Sequence, residues 1–141
     1  MINNYKQLKE YQTQRLNEIT KENKVFYAFS MEQLNEGIKE IGLDINTEKL
    51  AKIGYGGYLP SQNLEKFQNE METLNLELKA LVISNPALKK ELIKYELANH
   101  EAYYCYDSYF NALEIIKSFD YEITDEEIQK VYSVESKKYD F

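Results

Sequence analysis

Apolar residues recur along this chain at helical spacing far more often than in the alternation of a half-buried strand. Between Ile2 and Lys24 they fall at Tyr5, Leu8, Tyr11, Leu16 and Ile19, a thin stripe that predicts an amphipathic helix with one weakly buried face. Val25-Phe26-Tyr27-Ala28-Phe29 is an apolar run too short for a helix of its own. It reads equally as a buried strand or as the last turn of the preceding helix. Ser30 is a good N-cap with Gln33 three residues on, and Met31, Leu34, Ile38 and Ile41 follow at helical spacing. A helix is therefore predicted from there to Gly42, where glycine suits the position just past a helix end. Thr47 to Ile53, capped by Asn46 or Thr47, has the makings of a short helical turn. Three of the five glycines then fall between Gly54 and Pro60, which predicts a turn or loop whose backbone visits positive φ.

The strongest pattern lies between Ser61 and Ser84. Leu64, Phe67, Met71, Leu74, Leu78 and Leu81 alternate spacings of three and four, predicting a rod about 33 Å long. Asn85-Pro86 breaks it and opens the next helix, from Ala87 to about His100, with Leu88, Leu92 and Tyr95 on its buried side. Tyr103-Tyr104-Cys105-Tyr106 either prolongs that helix or forms a strand, with 25–29 as the obvious pairing partner. Asp107 or Ser108 caps a helix through Ser118 that buries Phe110, Leu113 and Ile116 or Ile115. Thr124 with Glu127 makes a capping box for a last helix from Asp125 to about Val134.

Together these elements predict a mainly α fold. It is a helical bundle of five to six helices around a long central helix hairpin, with room for a small two-stranded sheet. No repeat or linker divides the chain, so a single domain is expected over 1–141. It comprises an N-terminal amphipathic helix (1–24), a globular body (25–134) and a tail that frays (135–141).

Composition narrows what such a body does. Seventeen basic residues stand against 24 acidic ones, a net charge of −7, and Arg15 is the only arginine. That balance argues against a phosphate backbone or an anionic membrane as partner, and arginine is the residue that forks onto phosphates. The single cysteine, Cys105, forms no internal bridge, and no leader or membrane-spanning run is legible, so cytoplasmic residence is expected.

Candidate chemistry is sparse. His100 is the sole histidine, so neither a two-histidine metal site nor a Ser-His-Asp relay can be assembled. Glu96 and His100 are one helical turn apart, and the favoured reading is a histidine hydrogen-bonded at a helix end. Cys105 is read as a small thiol buried among tyrosines rather than a nucleophile, because on one helix it would lie about 140° from His100. The glycine segment lacks the phosphate-cradling patterns. No catalytic residue, metal site or cofactor is predicted, and the chain is expected not to be an enzyme.

Thirteen tyrosines and no tryptophan are the other departure from the ordinary. Tyrosine offers large contact area at low entropy cost, which binding surfaces favour. An AT-rich coding bias, visible in the excess of lysine and asparagine over arginine, accounts for the count equally well. Tyr55 and Tyr58 flank the glycine loop. Asp120, Glu122, Asp125, Glu126 and Glu127 place five negative charges in eight residues with no cation between them. These seven residues are the candidate partner-binding set, and their charge suits a protein with a basic surface.

Val25 to Ser30 with Gln33 to Gly37, the loop at Gly54 to Gly57, Asn99-His100-Glu101 and Tyr106-Asp107 together resemble a family of small proteins from phages and other mobile elements. That family includes anti-CRISPR inhibitors of type II CRISPR effectors. The resemblance spans about residues 20–132 and leaves the N-terminal helix outside it. It implies a stoichiometric, non-catalytic inhibitor in the host cell cytoplasm. Such a protein would sit on a Cas9-type nuclease loaded with guide RNA, whose channels are positively charged, without touching nucleic acid itself. The alternative is a self-associating structural or regulatory module, a homodimer paired through the 61–84 helix.

Overall fold

Three helix starts form as the sequence dictates, whereas the cap expected at Asp107 or Ser108 is Cys105. In a computed structural model describing residues 1–139, Ser30 Oγ accepts from the Gln33 amide (3.1 Å) and Asn85 Oδ1 from the Leu88 amide (3.1 Å). Thr124 and Glu127 complete a reciprocal capping box (3.0 and 3.2 Å). Each satisfies an amide that the helix itself leaves without a partner. The helices are α1 (Tyr5–Glu22), α2 (Met31–Glu40), α3 (Leu64–Ser84), α4 (Pro86–Asn99), α5 (Tyr106–Ser118) and α6 (Asp125–Ser136). Short strands β1 (Phe26–Tyr27), β2 (Leu50–Gly54) and β3 (Gly57–Pro60) make one antiparallel sheet in the order β1-β3-β2. The fold is mainly α. The chain divides into two compact units, Tyr11–Asn75 on one side and Met1–Glu10 with the chain from Leu76 onward on the other.

In the Tyr11–Asn75 unit, β2 and β3 form a hairpin closed by Tyr55 and Gly56. Both have positive φ (51° and 80°), as a tight two-residue hairpin turn requires. The register slips between Lys52 and Gly54, a bulge that leaves Ile53 opposite no residue of β3. Phe26 on β1 pairs with Tyr58 on β3, and their rings stack at 5.8 Å. α2 lies against β1, and Gly37 is its one buried residue. A Cβ there would stand 2.2 Å from Phe26 Cδ2, so a glycine in mid-helix is what admits the ring.

Several expectations are corrected here. Thr47 to Ile53 is not a helical turn: its second half is β2. The glycine segment does turn at positive φ, at Tyr55 and Gly56, and its flanks are strands rather than loop. The sheet has three strands, not two, and the partner of 25–29 is Gly57–Tyr58. Tyr103 to Cys105 lies in the turn before α5, and Tyr106 is that helix's first residue. Strand pairing over thirty residues depends on which glycines let the backbone reverse, and local periodicity carries no record of it. Met31, the first of the apolar residues read at helical spacing in α2, is 70% exposed, and the helix buries Gly37 under the Phe26 ring.

In the other unit α4 packs against α5 and α6. Leu88, Leu92, Ile93, Leu97, Ala112, Ile116 and Ile128 are fully buried there, each large side chain contributing about 1.5–3 kcal/mol. Ion pairs Lys89–Glu127 (3.2 Å) and Lys94–Glu135 (3.4 Å) bridge α4 and α6 in matching order, so the two helices run the same way. Tyr95 and Phe110, expected inside, are largely exposed. On α4 the four-residue step from Leu88 through Leu92 continues to Glu96, and on α5 Ala112 and Ile116 take the buried row. Of the tail, α6 ends at Ser136, a 3-10 turn covers Lys137–Tyr139, and 140–141 lie outside the described residues.

Candidate binding surfaces

Tyr55 sits at the hairpin tip with its side chain 98% exposed and its backbone in the left-handed region. A bulky residue held there costs on the order of 1–3 kcal/mol, and such strain clusters where function requires it. Around it the exposed apolar surface is dense. The Phe29 ring, 77% exposed, covers the face of Gly56, where a Cβ would stand 2.5 Å from its Cε1. The Ala28 amide donates to the Gly56 carbonyl (2.9 Å), Tyr27 pairs with Gly57 and is 56% exposed, and Met31 begins the following helix. Tyr55, Phe29 and Tyr27 thus present three exposed rings at one hairpin, an arrangement that marks contact sites.

Tyr58, grouped with Tyr55 in the sequence, is half-buried and stacked on Phe26. Phe29, Tyr27 and Met31 were missed. Phe29 was legible only as the residue preceding an N-cap, and the glycine that receives it lies 27 positions away.

The acidic stretch belongs to the other unit. Asp120 and Glu122, both with φ near 57°, flank buried Tyr121 and share Lys79 (3.7 and 3.8 Å). Asp125 meets Lys117 (2.8 Å), and Glu127 meets Lys89 and the Thr124 amide. Cations from α3, α4 and α5 thus stand beside four of the five carboxylates. Glu126 forms no ion pair among the described residues but adds to the field that, after Asp125, holds the Lys117 ammonium above its ordinary value.

Glu96 is buried at 4% exposure and its carboxylate is shared. The Tyr5 hydroxyl donates to Oε1 (2.7 Å), His100 Nε2 lies 3.3 Å from Oε2, and the Tyr5 amide reaches Glu91 Oε2 (3.3 Å). Burial, then the neighbouring Glu96, pushes the Tyr5 phenol far above its usual range, so it stays a donor. His100 is the C-cap of α4, at the helix end as anticipated. The network ties the start of α1 to α4. Among the described residues no three His, Cys, Asp or Glu side chains gather as a metal would need.

Cys105 is exposed, not buried, because it is the N-cap of α5. Its sulfur makes no capping bond of good geometry, yet the Ser108 and Asp107 amides hold the thiol below its ordinary value. Of the neighbouring tyrosines, Tyr104 and Tyr106 are exposed and Tyr103 and Tyr109 are packed into the unit. Tyr103 is stacked between Tyr132 (5.7 Å) and Tyr139 (4.7 Å), and burial pushes its phenol up to about 12. Tyr109 tilts onto Tyr132 (4.5 Å) and Tyr95 onto Tyr5 (4.9 Å).

The profile of one protein family matches residues 4–138, nearly the whole chain. The chain belongs to that family, DUF7659, a family of unknown function. No curated protein matches it, and neither does any solved structure. No helix among the described residues is long and apolar enough to cross a membrane.

Proposed function

We propose that this DUF7659 protein acts by binding a protein partner through the hairpin face of its Tyr11–Asn75 unit, without chemistry of its own. The observation that carries the reading is Tyr55, an almost fully exposed aromatic side chain on a strained backbone, with the exposed Phe29 ring on Gly56 and exposed Tyr27 paired to Gly57 beside it. A residue that gains nothing from the fold and costs backbone energy is readily explained by a contact outside the fold. Inhibition of a type II CRISPR nuclease is the narrow form of this proposal, and its support is the sequence resemblance alone. The negative charge of Asp120, Glu122, Asp125, Glu126 and Glu127 is weak support, since lysines stand beside four of them. Self-association through the 61–84 helix has less in its favour, because Leu74 and Leu78 of that seam are already buried within the chain.

The test compares the parent with a Phe29→Ser, Tyr55→Ser variant in quantitative capture from a host lysate, with purified guide-loaded Cas9-type nuclease as a named candidate. Proteins held by the parent and released by the folded variant support the reading. Retention of the same set by both would overturn it, and a nuclease ignored by both would remove the narrow form.

A further inference from the structure

The α4 and α6 faces that run alongside one another leave a groove of about 370 Å³ that the hairpin reading does not use. α4 supplies positions 86, 89, 90 and 93 and α6 supplies 127, 130, 131 and 134, in each case residues spaced as one helical face. The trough between them is therefore about two helical turns, or roughly 10 Å, long. Buried Ile93 and Val131 form its floor, and its exposed apolar surface is Ile83 at the end of α3 and Val134, which remain 40% and 50% exposed. Isoleucine and valine left half in water along a groove are apolar area that a partner can cover.

The charges along the trough are arranged unequally. Its two carboxylates are taken: Glu127 by Lys89, and Glu135 by Lys94 (3.4 Å) and Lys138 (2.9 Å). Lys90 on the α4 wall and Lys130 on the α6 wall meet no carboxylate among the described residues. In a chain of net charge −7, an apolar trough with a free cation on each wall is the reverse of the protein's general sign. A fatty acid offers one carboxylate and needs one cation at one end. Two cations on opposite walls suit an occupant that is apolar along its underside and acidic on both flanks.

We infer that the α4–α6 trough is a docking site for a short amphipathic helix of a partner protein, with apolar residues one turn apart and glutamates or aspartates on either side. The helix would lie as a third rod over α4 and α6, covering Ile83 and Val134 and setting its acids against Lys90 and Lys130.

The probe is a fluorescent helical peptide of roughly 14 residues with leucines on one face and glutamates flanking them, titrated against the full chain beside a lysine-flanked twin. Saturable binding of the glutamate peptide is expected, with the twin at least about tenfold weaker. Lys90→Glu with Lys130→Glu, both exposed positions, should weaken the first peptide by about tenfold or more and restore the second. Val134→Glu should abolish both without lowering Tm. Equal affinity for the two peptides, or no saturation by about 1 mM, would overturn the inference. Displacement of the peptide by palmitate at lower concentration would assign the trough to a lipid and overturn it as well. None of these readouts involves Tyr55 or Phe29, so the outcome is independent of the hairpin proposal.

Discussion

The Phe29 ring rests on Gly56, 27 residues later in the chain, at a point where any Cβ would stand 2.5 Å from its Cε1. A parallel relation holds between Phe26 and Gly37, where the distance would be 2.2 Å to Cδ2. In both cases a glycine supplies the space that an aromatic ring occupies, one at a hairpin tip and one in mid-helix.

Both glycines should resist substitution, Gly37 against helix propensity and Gly56 in line with its positive φ. Gly37→Ala should favour an isolated helix by about 1 kcal/mol. Here the methyl would meet the body of the Phe26 ring rather than the end of a flexible chain, and overpacking costs about 1–3 kcal/mol. Net destabilisation is expected in urea titration, and a more stable Gly37→Ala protein would contradict the packing described. Gly56→Ala adds the left-handed backbone cost of about 1–2 kcal/mol and should loosen the hairpin more.

Removing the Tyr5 hydroxyl should be felt far more than removing that of Tyr95. Tyr5→Phe leaves Glu96 Oε1 buried without its donor, a cost of about 1–3 kcal/mol, while Tyr95→Phe keeps its ring contact and should stay within about 0.5 kcal/mol of the parent. The comparison is made by chemical denaturation of the three proteins side by side. Equal stabilities would show that the 2.7 Å bond contributes nothing.

Stability should fall in acid through α6. The Thr124 amide and then Lys89 hold the Glu127 carboxyl below the ordinary 4.5, and Lys138 with Lys94 does the same for Glu135. A carboxyl whose folded value is depressed binds its proton more readily in the unfolded chain. Its contribution is therefore complete above pH 4.5 and is lost as pH falls below that toward the folded value. Glu127→Gln should lower Tm at neutral pH and flatten the acid limb of the Tm–pH curve. An unchanged slope would exclude Glu127 as a source of the acid sensitivity.

Cys105 should alkylate faster in the folded protein than in urea. The amides at the start of α5 favour its thiolate, the thiol is exposed, and the unfolded chain retains no such amides. Timed iodoacetamide labelling near neutral pH measures both rates. Slower reaction of the folded form would mean that Tyr104 and Tyr106 shield the sulfur instead.

What could be read along the chain is what neighbours in sequence enforce. Ser30, Asn85 with Pro86, and Thr124 with Glu127 act within one turn of backbone, and the three-four spacing of Leu74 and Leu78 is a property of a single helix, so the helices and these three starts were legible, while α5 begins at Tyr106 behind Cys105 rather than behind Asp107 or Ser108. The absence of a second histidine likewise limited the chemistry before any fold was known.

The hairpin, the buried Glu96 and the pairing of the acidic stretch were not legible, for one physical reason. Each depends on groups brought together by chain reversal: Gly56 under Phe29, Tyr5 beside Glu96 across 91 positions, Lys79 between Asp120 and Glu122. Local propensity is summed over a few residues. A glycine's missing Cβ, or a lysine's reach to a distant carboxylate, acquires its meaning from the surface that folding sets against it.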